Sequence, residues 1–230
     1  GDHHPWIEMH EDNGKNGIAA LMFNLLGDAH AAEYFSRMSV ASHGSERDTG
    51  HTGNFFNMLW AMPGVALSGP HATGAWMKEF GWYYDLARQW DGTYLHQGPP
   101  AARPDSYSGW DCTGAYLLAY AMPLKTLYLT GRQASVAEQI DAVTAEGLIA
   151  DGRGWSPRLQ LAAYADRTDG QVIADLGSWS PVVRERSAME LARREGDPTP
   201  QLIAMLDTAD LYARLGACQA MIMLKDRAAP

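Results

Sequence analysis

The sequence predicts an all-α protein: α/α-toroid-like helical hairpins forming part of a ring, followed by a HEAT-like helical repeat. Three observations carry this expectation. Apolar residues recur at three- and four-residue steps. A small polar residue and a glycine open several of the hydrophobic runs, and two helix starts near the C-terminus, at Ser180 and Asp210, align residue for residue.

The elements follow in order. From Asn16 to Leu26, Ile18, Leu21, Met22, Leu25 and Leu26 mark one helical face, with Gly27 where a helix C-terminal glycine belongs. Ala29 to Val40 sets Ala31, Tyr34, Phe35 and Met38 on one face, with Glu33 and Arg37 opposite, which completes a helical hairpin. Thr52 to Met62 is apolar nearly all round, and a longer amphipathic helix runs from about Thr73 to Gln89. A third copy begins at Thr113 with Ala115, Tyr116, Leu117, Leu118, Tyr120 and Ala121. A helix apolar on all sides is expected to be buried on all sides. The starts Asn16-Gly17, Thr52-Gly53 and Thr113-Gly114 are spaced as a two-helix unit with unequal loops requires. The second and third copies also share Ala-Met-Pro at their far ends, Ala61-Met62-Pro63 and Ala121-Met122-Pro123.

Between Asp91 and Pro104 the chain is too rich in turn residues to continue a helix. Ser135 to about Ile149 predicts one more helix, and residues 150–170, with Gly152, Gly154, Pro157 and Gly170, read as a connector. Ser180-Pro181 is an N-cap followed by proline at the first helical position, and Val182, Val183, Met189 and Leu191 supply an apolar face. Asp197-Pro198-Thr199-Pro200 turns the chain into a short helix, Gln201 to Leu206. The string Asp210 to Ala217 then aligns with Ser180 to Ser187, the register of a HEAT-type repeat. The expected organisation is a toroid-like region over 1–133, a connector with one helix over 134–175 and a HEAT-like repeat over 176–230.

Bulk properties narrow the function. The 18 Lys and Arg against 27 Asp and Glu leave a net charge of −9, which argues against nucleic acid, whose phosphates demand clustered positive charge. No window approaches the roughly 18 uninterrupted apolar residues of a bilayer-spanning helix. Two cysteines, Cys112 and Cys218, without CxxC spacing, say almost nothing about redox compartment. The chain opens Gly1-Asp2-His3-His4-Pro5-Trp6, with no initiator Met and no signal segment. It reads as a processed or partial chain, and its localisation is not legible. The His3-His4 pair can chelate metal, although a flexible end or a purification remnant accounts for it as well.

Residues 1–130 resemble the α/α toroids of the terpenoid cyclase, protein prenyltransferase and six-hairpin glycosidase type. More narrowly, His10-Glu11-Asp12-Asn13-Gly14-Lys15-Asn16-Gly17, Gly50-His51-Thr52-Gly53-Asn54-Phe55-Phe56 and the later Ser178-Trp179-Ser180-Pro181-Val182-Val183-Arg184 resemble a bacterial family known only as a domain of unknown function. That resemblance implies no activity. It implies longer relatives, and a ring of six hairpins of which three are present. The open arc then needs missing chain, a partner or self-association to cover its inner face.

In such a toroid the inner helices run parallel, so their N-termini gather at one mouth. The segments before the three starts hold His10, Glu11, Asp12 and Lys15, then Glu46, Asp48 and His51, then Trp110, Asp111 and Cys112. Helix N-termini favour an anion there and are expected to depress the Cys112 thiol. Three chemistries fit. Two carboxylates among the catalytic candidates Glu11, Asp12, Asp48 and Asp111 can serve as acid and base on a glycan, as in a hydrolase, with His51 beside them. Stacking surfaces come from Trp60, Trp110 or Tyr116, with His10 and Lys15 as further binding groups. His51, Asp111 and Cys112, with His10 as an optional fourth, offer the N, O and S ligands of a zinc site. Cys112 with His51 or His10 can act as nucleophile and base. Against these stand plainer roles: an Asp before a helix is ordinarily an N-cap, and His51 can bridge loops. A non-catalytic scaffold that docks proteins through its helical repeats is the competing function.

Overall fold

The structure, a computed structural model, describes residues 15–42, 55–97, 109–124, 134–152 and 162–225. Its regular elements are helical: α1 (Lys15–Leu26), α2 (Ala29–Ala41), α3 (Phe55–Ala66), α4 (Pro70–Ala87), α5 (Thr113–Ala121), α6 (Ala142–Gly152), α7 (Ala162–Ala165), α8 (Asp169–Asp175), α9 (Pro181–Arg193), α10 (Thr199–Leu206) and α11 (Leu211–Leu224). Two isolated antiparallel bridges, Arg88 with Tyr94 and Leu95 with Asp111, tie the irregular stretch after α4. The chain divides into two compact units, one holding α1 to α6 and the other α7 to α11.

In the first unit α1 packs on α2 and α3, and α3 packs in turn on α4 and α5. The buried side of α1 is its small and polar side, Asn16, Gly17, Ala20 and Asn24. This reverses the expectation from the apolar stripe: Ile18, Met22, Leu25 and Leu26 face outward, Leu26 with 71% of its surface exposed. Close approach decides the matter. A Cβ on Gly17 would collide with the Trp60 carbonyl, and a Cβ on Gly64 would meet the Cα of Gly17, so the two backbones touch where no larger residue fits. Ala20 and Leu67 share a core cluster a turn further on, so α1 and α3 ascend in the same direction.

Serine hydroxyls finish this contact. Ser36 donates to the Gly64 carbonyl at 2.7 Å and pairs with Ser68 at 2.6 Å, while Ser39 donates to the Ala61 carbonyl at 3.1 Å. The two Ala-Met-Pro strings part company here. α3 continues through Pro63, its neighbouring carbonyls taking hydroxyls from these serines and from Tyr84, which bonds Met58 at 3.1 Å. After α5 the chain instead tightens into a 3₁₀ turn at Met122–Leu124.

The helix expected at Ser135 starts only at Ala142. Asp141 caps it by accepting the Thr144 amide at 2.7 Å, while residues 134–140 run as an irregular strap. Val136 donates to the Asn24 side chain at 2.8 Å, Ile140 donates to the Ser68 carbonyl at 3.0 Å, and Ala137 enters the cluster of Ala20, Ala32 and Leu67. With α6 packed on α2 and α4, this stretch is part of the first unit rather than a connector beginning at residue 134.

The second unit is more regular. α8 and α9 form one helical pair and α10 and α11 another. The starts of the first pair, Asp169 and Pro181, recur in the second as Thr199 and Leu211, an identical shift for both helices. Local caps set the boundaries: a Thr168–Gln171 capping box, Ser180 accepting from Val183, and Asp210 accepting from Tyr212 and Ala213. Val172, Leu176, Ala188, Leu191, Leu202, Ala217, Ala220 and Leu224 form the shared core. Gly216 lies so close to the Leu176 carbonyl that a Cβ would overlap it. At the other end Glu190, fully buried, accepts from Arg193 at 2.9 Å and 3.0 Å and from Arg194 at 2.8 Å. Arg194 reaches on to Asp169 at 2.7 Å and to the carbonyls of Tyr164 and Arg167. Burial lifts the Glu190 carboxyl, but the two guanidiniums outweigh it and hold it below its ordinary range.

Candidate functional site

The segment after α4 begins with a tight turn. Asp91 accepts from both the amide and the hydroxyl of Thr93, Gly92 takes φ +87°, and Gln89 donates to the Thr93 carbonyl at 2.7 Å. The turn holds Trp90 97% exposed. The chain then pairs with the residues before α5: His96 donates its amide to Trp110 at 2.8 Å and accepts the Gly109 amide at 3.0 Å, and Cys112 donates to Tyr94 at 2.9 Å. The extended run Tyr94-Leu95-His96 alternates, so Tyr94 and His96 share one side and are both buried.

His96 is the group that sequence reasoning misses. It is fully buried, its Nδ1 lies 3.2 Å from the Tyr116 hydroxyl, and its ring meets Phe55 edge-on at 5.3 Å. Phe55 in turn meets Trp110 at 5.7 Å. Behind Tyr116 stand Tyr84 and Tyr94, at 4.8 Å and 5.9 Å, and Tyr120 donates to Asp85. The available signal is the alternation of Tyr94 and His96 inside a stretch that otherwise reads only as turn-rich.

Trp110 is half exposed over this aromatic support, and Asp111 beside it is exposed. Asp111 accepts the Thr113 amide at 2.8 Å in a turn that leads into α5, whose N-cap position is Cys112, so the expected role of Asp111 as the helix cap is replaced by a turn bond one residue earlier. The backbone and hydroxyl of Thr113 hold its carboxyl below the ordinary carboxylate range. It is therefore an ionised acceptor at neutral pH, suited to binding or to base chemistry and not to proton donation.

Cys112 departs from its expected chemistry. Burial pushes its thiol up to about 11, and its Sγ is directed at the Tyr94 carbonyl at 3.3 Å. Desolvation outweighs the helix N-terminus, so the group is a protonated core thiol. Burial likewise pushes the Tyr116 phenol up. Tyr116 is fully buried and braces the site from beneath; it has no face to offer for stacking. Trp60 is half-buried, with its backbone against Gly17. Lys15 is exposed at the start of α1. His10, Glu11, Asp12, Glu46, Asp48 and His51 lie outside the described residues. Among the described residues no group of three or more His, Cys, Asp and Glu side chains is placed to hold a metal ion.

Of the three expected helix starts, Thr52-Gly53 lies outside the described residues. Phe55 at the start of α3 touches Trp110 just before α5, whereas Gly17 near the start of α1 sits against Trp60 and Gly64, deeper along α3.

Fold and site together define an all-α protein with an aromatic-braced tryptophan and an ionised aspartate at a helix start. The chain belongs to the family described as a domain of unknown function, DUF6288, whose profile matches residues 1–131. No curated protein and no solved structure matches the chain. No described helix is long and apolar enough to cross a membrane.

Proposed function

We propose that the first unit is an arc of an α/α toroid that binds a glycan where α3 and α5 begin. In this reading Trp110 is the stacking surface and Asp111 the hydrogen-bond acceptor. The observation that carries it is Trp110 itself, half exposed, buttressed by Phe55 and pinned by the His96 amide beside an ionised carboxylate. An aromatic face pre-positioned in this way offers apolar contact at little entropic cost, and a fixed carboxylate gives direction. The sequential packing of α1, α3 and α5, with α2 and α4 against them, supports the arc. The two helical pairs with matching starts support a HEAT-like second unit.

Hydrolysis needs a second, protonated carboxyl group across the scissile bond from Asp111, and Glu11, Asp12 and Asp48 remain the candidates. The test is calorimetric titration of neutral and acidic oligosaccharides, followed by a reducing-end assay on those that bind. Trp110→Ala is expected to weaken binding at least tenfold and Asp111→Asn severalfold, with unchanged circular dichroism. Binding indifferent to both substitutions sinks the reading. A second reading, a protein-docking scaffold, draws on the outward apolar stripe of α1, Ile18, Met22, Leu25 and Leu26.

A further inference from the structure

The second unit carries a surface independent of the glycan reading. Because Pro181 of α9 corresponds to Leu211 of α11, each position on α9 has a counterpart on α11. α9 turns Ala188, Leu191 and Ala192 into the core cluster it shares with α11. Their counterparts are Cys218, Met221 and Ile222; Met221 packs on that same cluster, while Cys218 is exposed and Ile222 is 71% exposed. The outer side of the second pair thus repeats part of an interface already built between the two pairs.

That outer side is organised. Leu211, Leu215, Cys218 and Ile222 are all exposed and follow one another at steps of four, three and four, the seam spacing of paired helices. These four side chains bear no charge. Asp210 lies at one end of α11 and Lys225 at the other, both exposed, so an antiparallel copy of the helix brings each Asp210 toward the opposing Lys225. α9 itself offers no matching apolar face, since most of its length is buried. Head-to-tail growth therefore lacks its second surface, and a two-fold pairing satisfies the exposed one by self-complementarity.

We infer that the α10–α11 face is a homodimer interface on which a second copy of this chain docks, α11 packing antiparallel to α11 through Leu215, Cys218 and Ile222. α11 is about 21 Å long, so a contact along one of its faces falls at the small end of protein–protein interfaces.

Sedimentation velocity over a wide concentration range tests this directly. The expected result is a concentration-dependent doubling of mass. Leu215→Asp combined with Ile222→Asp, both at exposed positions, is expected to raise the dimer dissociation constant more than tenfold with circular dichroism unchanged. Met22→Asp combined with Leu25→Asp, on the other exposed stripe, should leave it as it was. A short bis-maleimide should join two chains through Cys218, and Cys218→Ser should abolish the product. A monomer at every concentration overturns the inference, and so does a dimer that survives the α11 pair or is lost with the α1 pair.

Discussion

The two units differ in the polar groups they bury beside their apolar side chains. α1 meets α3 through Asn16, Gly17 and Ala20, with serines from α2 closing the gaps. α9 is buried along most of its length despite Arg184, Arg186 and Glu190, and it is held at its C-terminal end by Arg193 and Arg194. In one unit distance of approach sets the packing, and small side chains win it. In the other, an apolar core and the close approach at Gly216 are joined by charge, because a carboxylate taken out of water needs its guanidiniums. The lesson is that neither an apolar stripe nor a charged one reports by itself which side of a helix is inside.

The largest effect should come from the charged unit. Arg194→Ala removes a partner from a fully buried carboxylate and frees the carbonyls of Tyr164 and Arg167, and it is expected to cost about 3 kcal/mol in urea unfolding. Loss of less than a third of that would mean that Arg193 alone suffices. Next comes the close contact of the first unit: Gly17→Ala should cost about 1–3 kcal/mol, whereas Leu25→Ala, on the outward stripe, should cost under about 0.5 kcal/mol. The reverse order would show that the stripe and not the glycine is buried.

Glu185 sharpens the contrast with pH. Burial pushes its carboxyl up to about 7 against the Arg186 charge that lowers it. A raised acid pKa contributes stability that is complete below the ordinary value of 4.5 and is lost as pH rises through about 7. Glu185→Gln should therefore flatten that slope and raise stability above pH 7 by about 1–2 kcal/mol, after discounting for its partial exposure. The smallest effect is chemical. Thiol titration of the native protein near neutral pH, at a concentration low enough to keep the chain monomeric, should count one fast cysteine, Cys218, with Cys112 reacting only on unfolding.

Much of the second unit was legible because its signals are local. Ser180-Pro181, Asp210 and the matching strings that follow them are each readable within a few positions, and each became a helix start. The first unit was legible in its element order but not in its orientation. That Gly17 touches Trp60 depends on a residue in the next hairpin, and nothing near Gly17 announces it. At the candidate site Trp110 and Asp111 were recognisable from their place before a helix. His96 was not, because its role comes from pairing with the separate segment that leads into α5. Cys112 stands at the helix start, but its acidity is the reverse of what that position implies, since proximity to a helix terminus is visible in a sequence and desolvation is not.

The strap of residues 134–140 has a bearing on synthesis. The Asn24 side chain waits for the Val136 amide, far later in the chain, and Ser68 waits for Ile140. Loops of that length close slowly, and their entropy is lost before the contacts repay it. On the ribosome, the N-terminal hairpins will therefore emerge with one flank unfinished, and the strap acts as the latch that ends their exposure. The profile match stops at residue 131, just short of that latch. A fragment cut at the family boundary would keep the hairpins and lose what fastens them.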